Sequence, residues 1–337
     1  MMPWNGALKI FGLPTLRSML STDLVLITDN ILFDRAFFNP AFNYLSTISL
    51  IAPYCRQRKI PAVLYNASVG PITTDIGKKA LQKVLDAGPV AILRDARSRE
   101  HLQELGLRCP EFVEGADCAL NTRQPLSEEV DRILQRLYGG RDLRPMIGLN
   151  INAYLGSWQG RHDRGGSSRL TTVLADTVNR LTSEVEADVL IFVTQVMDHT
   201  ISKELKIRLR ESADIPVVAN PDYTYQEIAG LLCRVELLVG MRTHAQILAV
   251  SAGTPVVNIN SYPKSRAFLE TLDMGQWSID VAELTDARLD ALIRRAWEVR
   301  ADTRAHLLPA VLREQHKAKA AVTKIGDLLG FTPCRAK

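Results

Sequence analysis

The hydrophobic positions of this chain fall into short continuous runs that alternate with longer amphipathic stretches. The short runs consist mainly of Val, Ile, Leu and Ala, which is typical of strands buried on both faces of a sheet. They predict strands at residues 23–28, 61–65, 90–93, 111–115, 146–151, 188–194, 215–219, 236–239 and 255–259.

The amphipathic stretches between these runs carry apolar residues at helical spacing. They predict helices near residues 41–58, 75–87, 96–106, 168–185, 200–211, 224–233 and 243–252, and a long helical tail over 286–329. Strands that alternate with helices indicate βαβ units and therefore parallel sheets. The sequence leaves open whether the tail returns to the first part of the chain.

The pattern of strands restarts after Arg144, and the preceding stretch GGRDLRP (139–145) has turn residues, charge and no periodicity. A length of 337 residues also suggests two domains, at about 150 residues per domain. We therefore predict an α/β protein with two Rossmann-like domains facing a cleft, residues 1–140 and 141–337. With only four predicted strands, the first domain is small or shortened at its N-terminus.

Composition and charge narrow the class of protein. The chain is 46% hydrophobic and 23% charged, values typical of globular proteins. Its net charge of +4 comes from basic residues interleaved with acids, which argues against a nucleic-acid partner. No apolar run has the roughly 18 residues that a membrane helix needs, and the opening lacks the features of a secretory signal. We expect a cytoplasmic protein, with association at the membrane surface left open.

Cofactor and metal motifs are absent from the sequence. The five cysteines have no CxxC spacing, which indicates reduced thiols rather than disulfides or a zinc site. The sequence contains no HExxH, GxxxxGK[ST] or GxGxxG motif. We therefore predict no metal and no bound cofactor, and we consider nucleotide hydrolysis and dinucleotide redox chemistry disfavoured.

In open α/β sheets, ligands bind where the strands end, so the residues that follow each strand are the candidates. A turn is predicted after residue 65, and its residues Asn66, Ser68 and Gly70 could present polar groups and backbone amides to an anion. A tight turn that satisfies only its own backbone is the other interpretation.

Arg94 follows the third predicted strand, and Asp95 is a suitable N-cap for the next helix. A guanidinium at this place could bind a ligand's carboxylate or phosphate, or it could pair with a nearby acidic side chain. Both interpretations stay open.

The strongest local feature is the segment GMRTHA (240–245), where a strand runs through a glycine into a helix. The first amides of a helix attract anions, and Arg242 and His244 add a cation and a titratable proton. Lys264 follows the last predicted strand, and the Gly- and Arg-rich loop 156–169 is either a lid or an ordinary surface loop.

Four segments in order, NASVGPI, ILRDARSREHLQELG, EGADCAL and GMRTHAQILAVSAGTPVVNINSYPKSRAFLETLDM, resemble the polysaccharide pyruvyl transferase family over residues 23–275. The resemblance implies a GT-B-like fold and transfer of the enolpyruvyl unit of phosphoenolpyruvate to a sugar diol, giving a pyruvate ketal and phosphate. Phosphoenolpyruvate is then a co-substrate, and the acceptor is a cell-surface or exopolysaccharide precursor, lipid-linked or nucleotide-linked.

The same resemblance implies roles for individual residues. Arg94 and Arg242 would hold the phosphate and carboxylate of phosphoenolpyruvate, and His244 would be the general acid or base. Asn66, Ser68 and Gly70 would line the facing wall, and Lys264 would lie near the donor or acceptor.

The sequence also departs from the family, which usually opens with a Gly-rich strand–turn that is missing here. Two alternatives therefore stay open. One is a GT-B glycosyltransferase that uses a nucleotide sugar, and the other is a catalytically silent carbohydrate-binding subunit.

Overall fold

The protein consists of two α/β units, each built around a parallel sheet. The computed structural model describes residues 13–28, 31–39, 43–108, 111–153, 166–261 and 263–330. The first unit comprises Met1–Cys118 with Glu314–Lys337, and the second comprises Ala119–Arg313. The fold class predicted from the sequence, α/β with two Rossmann-like domains, is confirmed.

The sheet of the first unit is parallel throughout. Its strands are β1 Val25–Thr28, β2 Ile31–Leu32, β3 Ala62–Val69, β4 Val90–Leu93 and β5 Glu111–Glu114. They are arranged in the order β1-β3-β4-β5, and β2 pairs with the end of β3. Both β1 and β2 pair with β3 at the same offset in residue number, so together they form one edge of the sheet.

Helices cover this sheet, and short polar side chains fix where they begin. Asn43, Thr74 and Asp95 each accept a hydrogen bond from the backbone amide three residues later. Such caps satisfy amides that have no partner inside the helix. The helices of this unit are Leu13–Leu20, Tyr44–Gln57, Asp75–Leu85, Ala96–Glu104 and the second part of Arg300–Leu328.

The end of the last helix completes the core of the first unit. Ala321 is fully buried in a cluster with Val63, Val90 and Ile92. At the neighbouring strand β5, Lys317 pairs with Glu114 and Lys324 with Glu111, each at 2.7 Å. The tail thus returns to the first unit, a question that the sequence left open.

The sheet of the second unit has six parallel strands, β6 Met146–Asn150, β7 Asp188–Val193, β8 Val217–Ala219, β9 Val235–Gly240, β10 Val256–Asn260 and β11 Ser278–Asp280. Their order is β11-β10-β9-β6-β7-β8. This is the Rossmann order, in which the chain reverses direction across the sheet between its first and fourth strands. Here that switch point lies between β6 and β9.

The helices of the second unit connect these strands. They are Ser127–Leu137, Gly166–Val185, His199–Arg208, Tyr225–Leu232, Thr243–Ser251, Pro263–Glu270, Asp286–Glu298 and the first part of Arg300–Leu328. None of the helices in the described part of the chain is both long and apolar enough to cross a membrane.

The stretch predicted as a linker lies inside the second unit. Arg141 and Arg144 both pair with the buried carboxylate of Asp188, with N···O distances of 2.8 Å. The preceding helix Ser127–Leu137 also belongs to this unit, because Arg234 pairs with Asp131 at 2.7 Å. The units therefore divide after Cys118, whereas the sequence places the boundary after residue 140.

The strands of the structure differ from those predicted at three places. The short strands β2 and β11 were not predicted, because two or three residues are too few to show a pattern. The strand β3 continues to Val69, four residues beyond its predicted end. Asn66, Ser68 and their neighbours therefore lie within a strand rather than in a turn that follows it.

We predict that Asp188 makes stability dependent on pH. Burial alone would raise the pKa of Asp188, but hydrogen bonds from Arg141 and Arg144 lower it below its ordinary value. Its contribution is therefore present above the ordinary carboxyl pKa and is lost as pH falls through the lowered one. Asp188→Asn should reduce the free energy of unfolding by about 1–3 kcal/mol near pH 7, measured by urea denaturation.

The difference between the variant and the unmodified chain should shrink as pH falls below the ordinary carboxyl pKa and through the lowered pKa of Asp188, because protonation removes the charge that Asn also lacks. A difference that stays constant over this fall in pH would contradict the assignment.

We predict that the core position of Ala321 is essential to the first unit. Ala321→Asp buries a charge without a partner, which costs about 3–5 kcal/mol. The urea midpoint, followed by circular dichroism, should fall markedly. Ala320→Asp is the matched control, because Ala320 is exposed on the same helix and its substitution should cost only the lower helix propensity of Asp, less than about 1 kcal/mol. Equal effects of the two variants would exclude the packing described here.

Candidate functional site

The first cluster of polar residues, which we name the Arg242 cluster, lies at the switch point of the second sheet. Asn150 ends β6 and is in register with Gly240, which ends β9. The side chain of Asn150 is buried; its carbonyl oxygen accepts from the Arg242 amide and its Nδ2 donates to Phe192 O, both at 2.9 Å. Asn150 thereby fixes the turn that leads from β9 into the next helix.

Arg242 is held by the fully buried carboxylate of Asp198. Its Nε donates to Oδ2 and its Nη2 donates to Oδ1, both at 2.7 Å. The Ala153 amide also donates to Oδ1, at 2.9 Å. Two parallel hydrogen bonds fix the plane of a guanidinium as well as its position. Among the described residues, no hydrogen bond engages Nη1 of Arg242.

Helix Thr243–Ser251 begins directly after Arg242, which occupies the N-cap position. An arginine has no acceptor, and no side chain at this position caps the helix. The first-turn amides therefore retain their attraction for an anion. His244 lies half-buried in this first turn. The structure thus brings Arg242 and His244, the two candidate residues of the segment GMRTHA, to the same helix end.

A row of buried amides continues from this helix across the sheet. Gln246 Nε2 donates to Gly240 O at 3.2 Å and to Asn258 Oδ1 at 2.8 Å. Asn258 Nδ2 in turn donates to Ser278 Oγ at 3.2 Å. This row links β9, β10 and β11, and it holds the end of β9 from the side opposite Asn150.

Two sequence predictions at this edge, the loop 156–169 and Lys264, concern residues that lie wholly or partly outside the described part of the chain. Most of the loop falls within residues 154–165, which are outside it. Lys264 lies at the second position of helix Pro263–Glu270, but its side chain is outside the described part of the chain. At the end of β10, Asn260 is bound instead to Asp280 at 2.5 Å and to Ser265 at 2.9 Å.

A second cluster, the Arg94 cluster, lies where β4 ends in the first unit. Arg94 is buried; its Nε donates to Ser68 Oγ at 2.8 Å and its Nη1 donates to Asp117 Oδ2 at 2.5 Å. Ser68 Oγ donates to Asp95 Oδ2 at 2.7 Å. Of the two interpretations that the sequence left open for Arg94, the structure thus contains the pairing with a nearby carboxylate.

Asn66 occupies a bulge inside β3 rather than a turn after it. Tyr65 is opposite Ile92 and Ala67 is opposite Leu93, so Asn66 is the extra residue. Its φ of 49° lies in the left-handed region, which Asn tolerates better than most residues. Small side chains and this bulge let the strand continue where the sequence predicts that it ends.

The side chain of Asn66 is buried, and its Nδ2 donates to Cys118 Sγ at 2.7 Å. Its Oδ1 has no hydrogen-bond partner among the described residues. A Cβ at Gly115 would lie 2.5 Å from this oxygen, so glycine is required there. The backbone amide of Gly70 is also engaged within the fold, since it donates to Leu32 O at 2.8 Å. The turn predicted after residue 65 is therefore wrong, because residues 66–69 continue β3, whereas a ligand-binding role of Asn66, Ser68 and Gly70 stays a prediction.

Tyr65 completes this corner of the first unit. Its hydroxyl lies 3.7 Å from Sγ of the exposed Cys118. Burial, together with contact with Cys118, raises the pKa of Tyr65 to about 12, so the phenol is neutral at ordinary pH. Within the described ranges, no group of three or more His, Cys, Asp or Glu side chains could hold a metal ion.

Four residues that the sequence reasoning did not select take part in these clusters: Asn150, Asp198, Asp117 and Cys118. Asp198 is 44 residues from Arg242 along the chain, and Asn150 is 92 residues from it. Asp117 and Cys118 stand in the segment EGADCAL, which was recognised only as part of the resemblance. No local spacing relates these residues to their partners.

Several solved structures share this architecture. Anabaena Alr3699/HepE in complex with UDP and glucose has a TM-score of 0.57 and 12% identity, covering 98% of this chain and 84% of that one. UDP-GlcNAc 2-epimerase from Neisseria meningitidis has a TM-score of 0.60 and 11% identity, covering 98% and 83%. Arabidopsis thaliana UGT89C1 has a TM-score of 0.58 and 8% identity, covering 96% and 77%. At these identities the likeness shows the fold alone, a GT-B-type pair of Rossmann-like domains.

The sequence itself carries a more specific likeness. The family model described as polysaccharide pyruvyl transferase matches residues 9–261, which is most of the chain and includes both the Arg94 cluster and the Arg242 cluster. This chain therefore belongs to the polysaccharide pyruvyl transferase family.

Proposed function

We propose that this protein transfers the enolpyruvyl group of phosphoenolpyruvate to two hydroxyls of a sugar, forming a pyruvate ketal and releasing phosphate. The sugar belongs to a cell-surface or exopolysaccharide precursor, which we expect to be lipid-linked or nucleotide-linked and reached from the cytoplasm. The observation that carries the proposal is the Arg242 cluster, in which an oriented guanidinium and a histidine meet at an uncapped helix N-terminus.

The donor-binding part of the proposal rests on charge. Phosphoenolpyruvate carries about three negative charges near neutral pH, and the first-turn amides of helix Thr243–Ser251 suit such an anion. Asp198 fixes the plane of Arg242, so that Nη1 can donate to a phosphate or carboxylate oxygen without first being ordered. In this scheme Asp198 positions Arg242 and does not touch the donor.

The transfer can be written with His244 as the proton carrier. A proton passes from the imidazolium of His244 to the methylene carbon, and the first sugar hydroxyl forms a bond to the carbon that bears the phosphate. The bond from that carbon to the phosphate oxygen then breaks, and the second hydroxyl closes the ketal. Of the two hydroxyl protons, one restores His244 and the other leaves with phosphate or solvent. A positioned acid–base group typically contributes about 10²–10⁴-fold in rate.

For the first unit we propose the acceptor side. Arg94, Ser68 and Asn66 lie together there, although as buried members of a hydrogen-bonded network rather than as groups on a turn. In this scheme they fix the ends of β3 and β4, and Arg94, being paired with Asp117, does not take the role of holding phosphoenolpyruvate that the resemblance implies for it. Phosphoenolpyruvate is a co-substrate, and the step as written draws on no further cofactor. Lys264 remains a proposed contact of the donor or acceptor.

We predict that phosphoenolpyruvate stabilises the protein against heat. A ligand at about 100 times its dissociation constant adds about 2.7 kcal/mol, which a thermal-shift measurement detects. Arg242→Lys should weaken this binding by about tenfold or more, because Lys cannot make the paired hydrogen bonds to Asp198. Arg210→Lys, an exposed position, is the matched control and should bind normally.

UDP-sugars and inorganic phosphate complete the same experiment. Stabilisation by a UDP-sugar and not by phosphoenolpyruvate would favour the glycosyltransferase alternative. UDP-sugars are chosen because two of the structural neighbours hold UDP or UDP-GlcNAc. A chain that none of these ligands stabilises would instead fit the silent subunit.

We predict that His244→Ala abolishes ketal formation while phosphoenolpyruvate binding is largely retained. The rate should fall by at least about 10²-fold, since the proton carrier is lost. Release of phosphate in the presence of acceptor provides the measurement. His306→Ala, at an exposed position on the last helix, should leave the rate unchanged. Normal turnover by His244→Ala would exclude the role assigned to this residue.

A further inference from the structure

The helix Tyr44–Gln57 presents large apolar side chains to solvent as well as to the core. Its inner side, with Leu45, Ala52 and Cys55, is buried against the first sheet. On the opposite side, Leu50 and Tyr54 lie one turn apart and are each more than half exposed. The core therefore accounts for only one face of this helix.

Two further aromatic side chains are exposed at the start of this helix. Tyr44 is 53% exposed, and Phe38, in the turn just before the helix, is 81% exposed. The turn is attached to the helix because Asn43 Nδ2 donates to the backbone oxygens of Phe33 and Arg35, at 2.8 and 2.9 Å. We name these four exposed side chains, Phe38, Tyr44, Leu50 and Tyr54, the outer face.

Basic side chains are exposed on the same helix and on the helix that packs beside it. Exposed Arg56, Arg58 and Lys59 lie at the C-terminal end of the helix. The adjacent helix Asp75–Leu85, which packs beside it, adds exposed Lys78, Lys79 and Lys83.

Acidic residues are scarce on the same surface. No Asp or Glu occurs between Asp34 and Asp75 in the sequence. Asp86 lies 3.7 Å from Arg56 and 3.6 Å from Arg108, so its charge is shared between two arginines. The surface formed by the two helices is therefore both apolar and positively charged.

We propose that the outer face docks the protein on a bilayer that contains anionic lipids. Tyr is enriched at membrane interfaces, where its ring contacts acyl chains and its hydroxyl reaches water. Leu50 and Phe38 would enter the same layer, while the surrounding Lys and Arg side chains meet lipid phosphates. Because lipid headgroups rearrange freely, a bilayer can match basic groups spread over two helices, which a rigid acidic protein would have to match one by one.

This inference does not depend on the proposed reaction. It concerns helices of the first unit, and it predicts adsorption whether or not phosphoenolpyruvate is the donor. Vesicle binding and donor binding can therefore fail separately.

The test is flotation of the full chain with vesicles of phosphatidylcholine alone and of phosphatidylcholine with about one third phosphatidylglycerol. We expect binding to the anionic vesicles, weakened by salt. The double variant Leu50→Ser with Tyr54→Ser should lower the partition coefficient by about tenfold or more, through loss of apolar burial. Arg58→Glu with Lys59→Glu should lower it at least as much, through loss and reversal of charge.

The matched control is Ile207→Ser with Lys203→Glu, which changes an exposed isoleucine and lysine on helix His199–Arg208 of the second unit. It should bind as the unmodified chain does. The proposal is overturned if the chain does not bind anionic vesicles, or if the control variant loses binding as much as the two outer-face variants do. It is also overturned if the charge variant loses binding and the apolar variant does not. It is likewise overturned if the outer face is covered by a second copy, shown by a dimer in solution that Leu50→Ser with Tyr54→Ser converts to monomer.

Discussion

Parallel pairing is the constraint on which this structure depends, because it brings the end of every strand to one edge of its sheet. The connection after each strand must then leave from that same edge, and polar residues distant in sequence become neighbours there. Asn150 and Gly240 meet in this way at the switch point of the second sheet. Asp198, which follows β7, reaches Arg242 across the same edge. Strand direction and strand order thus determine which residues can meet in the Arg242 cluster.

The two units use similar chemistry at these edges. In each, an arginine just beyond a strand is bound by a buried carboxylate, Arg94 by Asp117 and Arg242 by Asp198. The pairing fixes where each guanidinium points, but it also cancels most of the charge. For an anionic ligand in the second unit, much of the remaining attraction would therefore come from the helix amides and from His244. Orientation rather than net charge is what the carboxylates contribute.

Much of this fold could be predicted from the sequence, because buried parallel strands and amphipathic helices leave strong local patterns. The helix starts at Asp95 and near Thr243 were evident for this reason. The exact extent of β3 was not, since the bulge at Asn66 depends on the register with β4. Asp198 and Asn150 were missed because their partners are distant in sequence, and only the sheet order brings them together. The sequence pointed to Arg94 itself but could not decide between a ligand and Asp117, a choice that depends on how β4 and β5 align.

The return of the last helix to the first sheet has a consequence for biosynthesis. Val63, Val90 and Ile92 leave the ribosome long before Ala321, the residue that packs against them. The N-terminal unit therefore lacks part of its interior until almost the whole polypeptide has been translated. The second unit, continuous from Ala119 to Arg313, has all its strands available earlier. Completion of the two units thus runs against the usual N-to-C order of domain folding, because the core of the N-terminal unit stays incomplete while the rest is made.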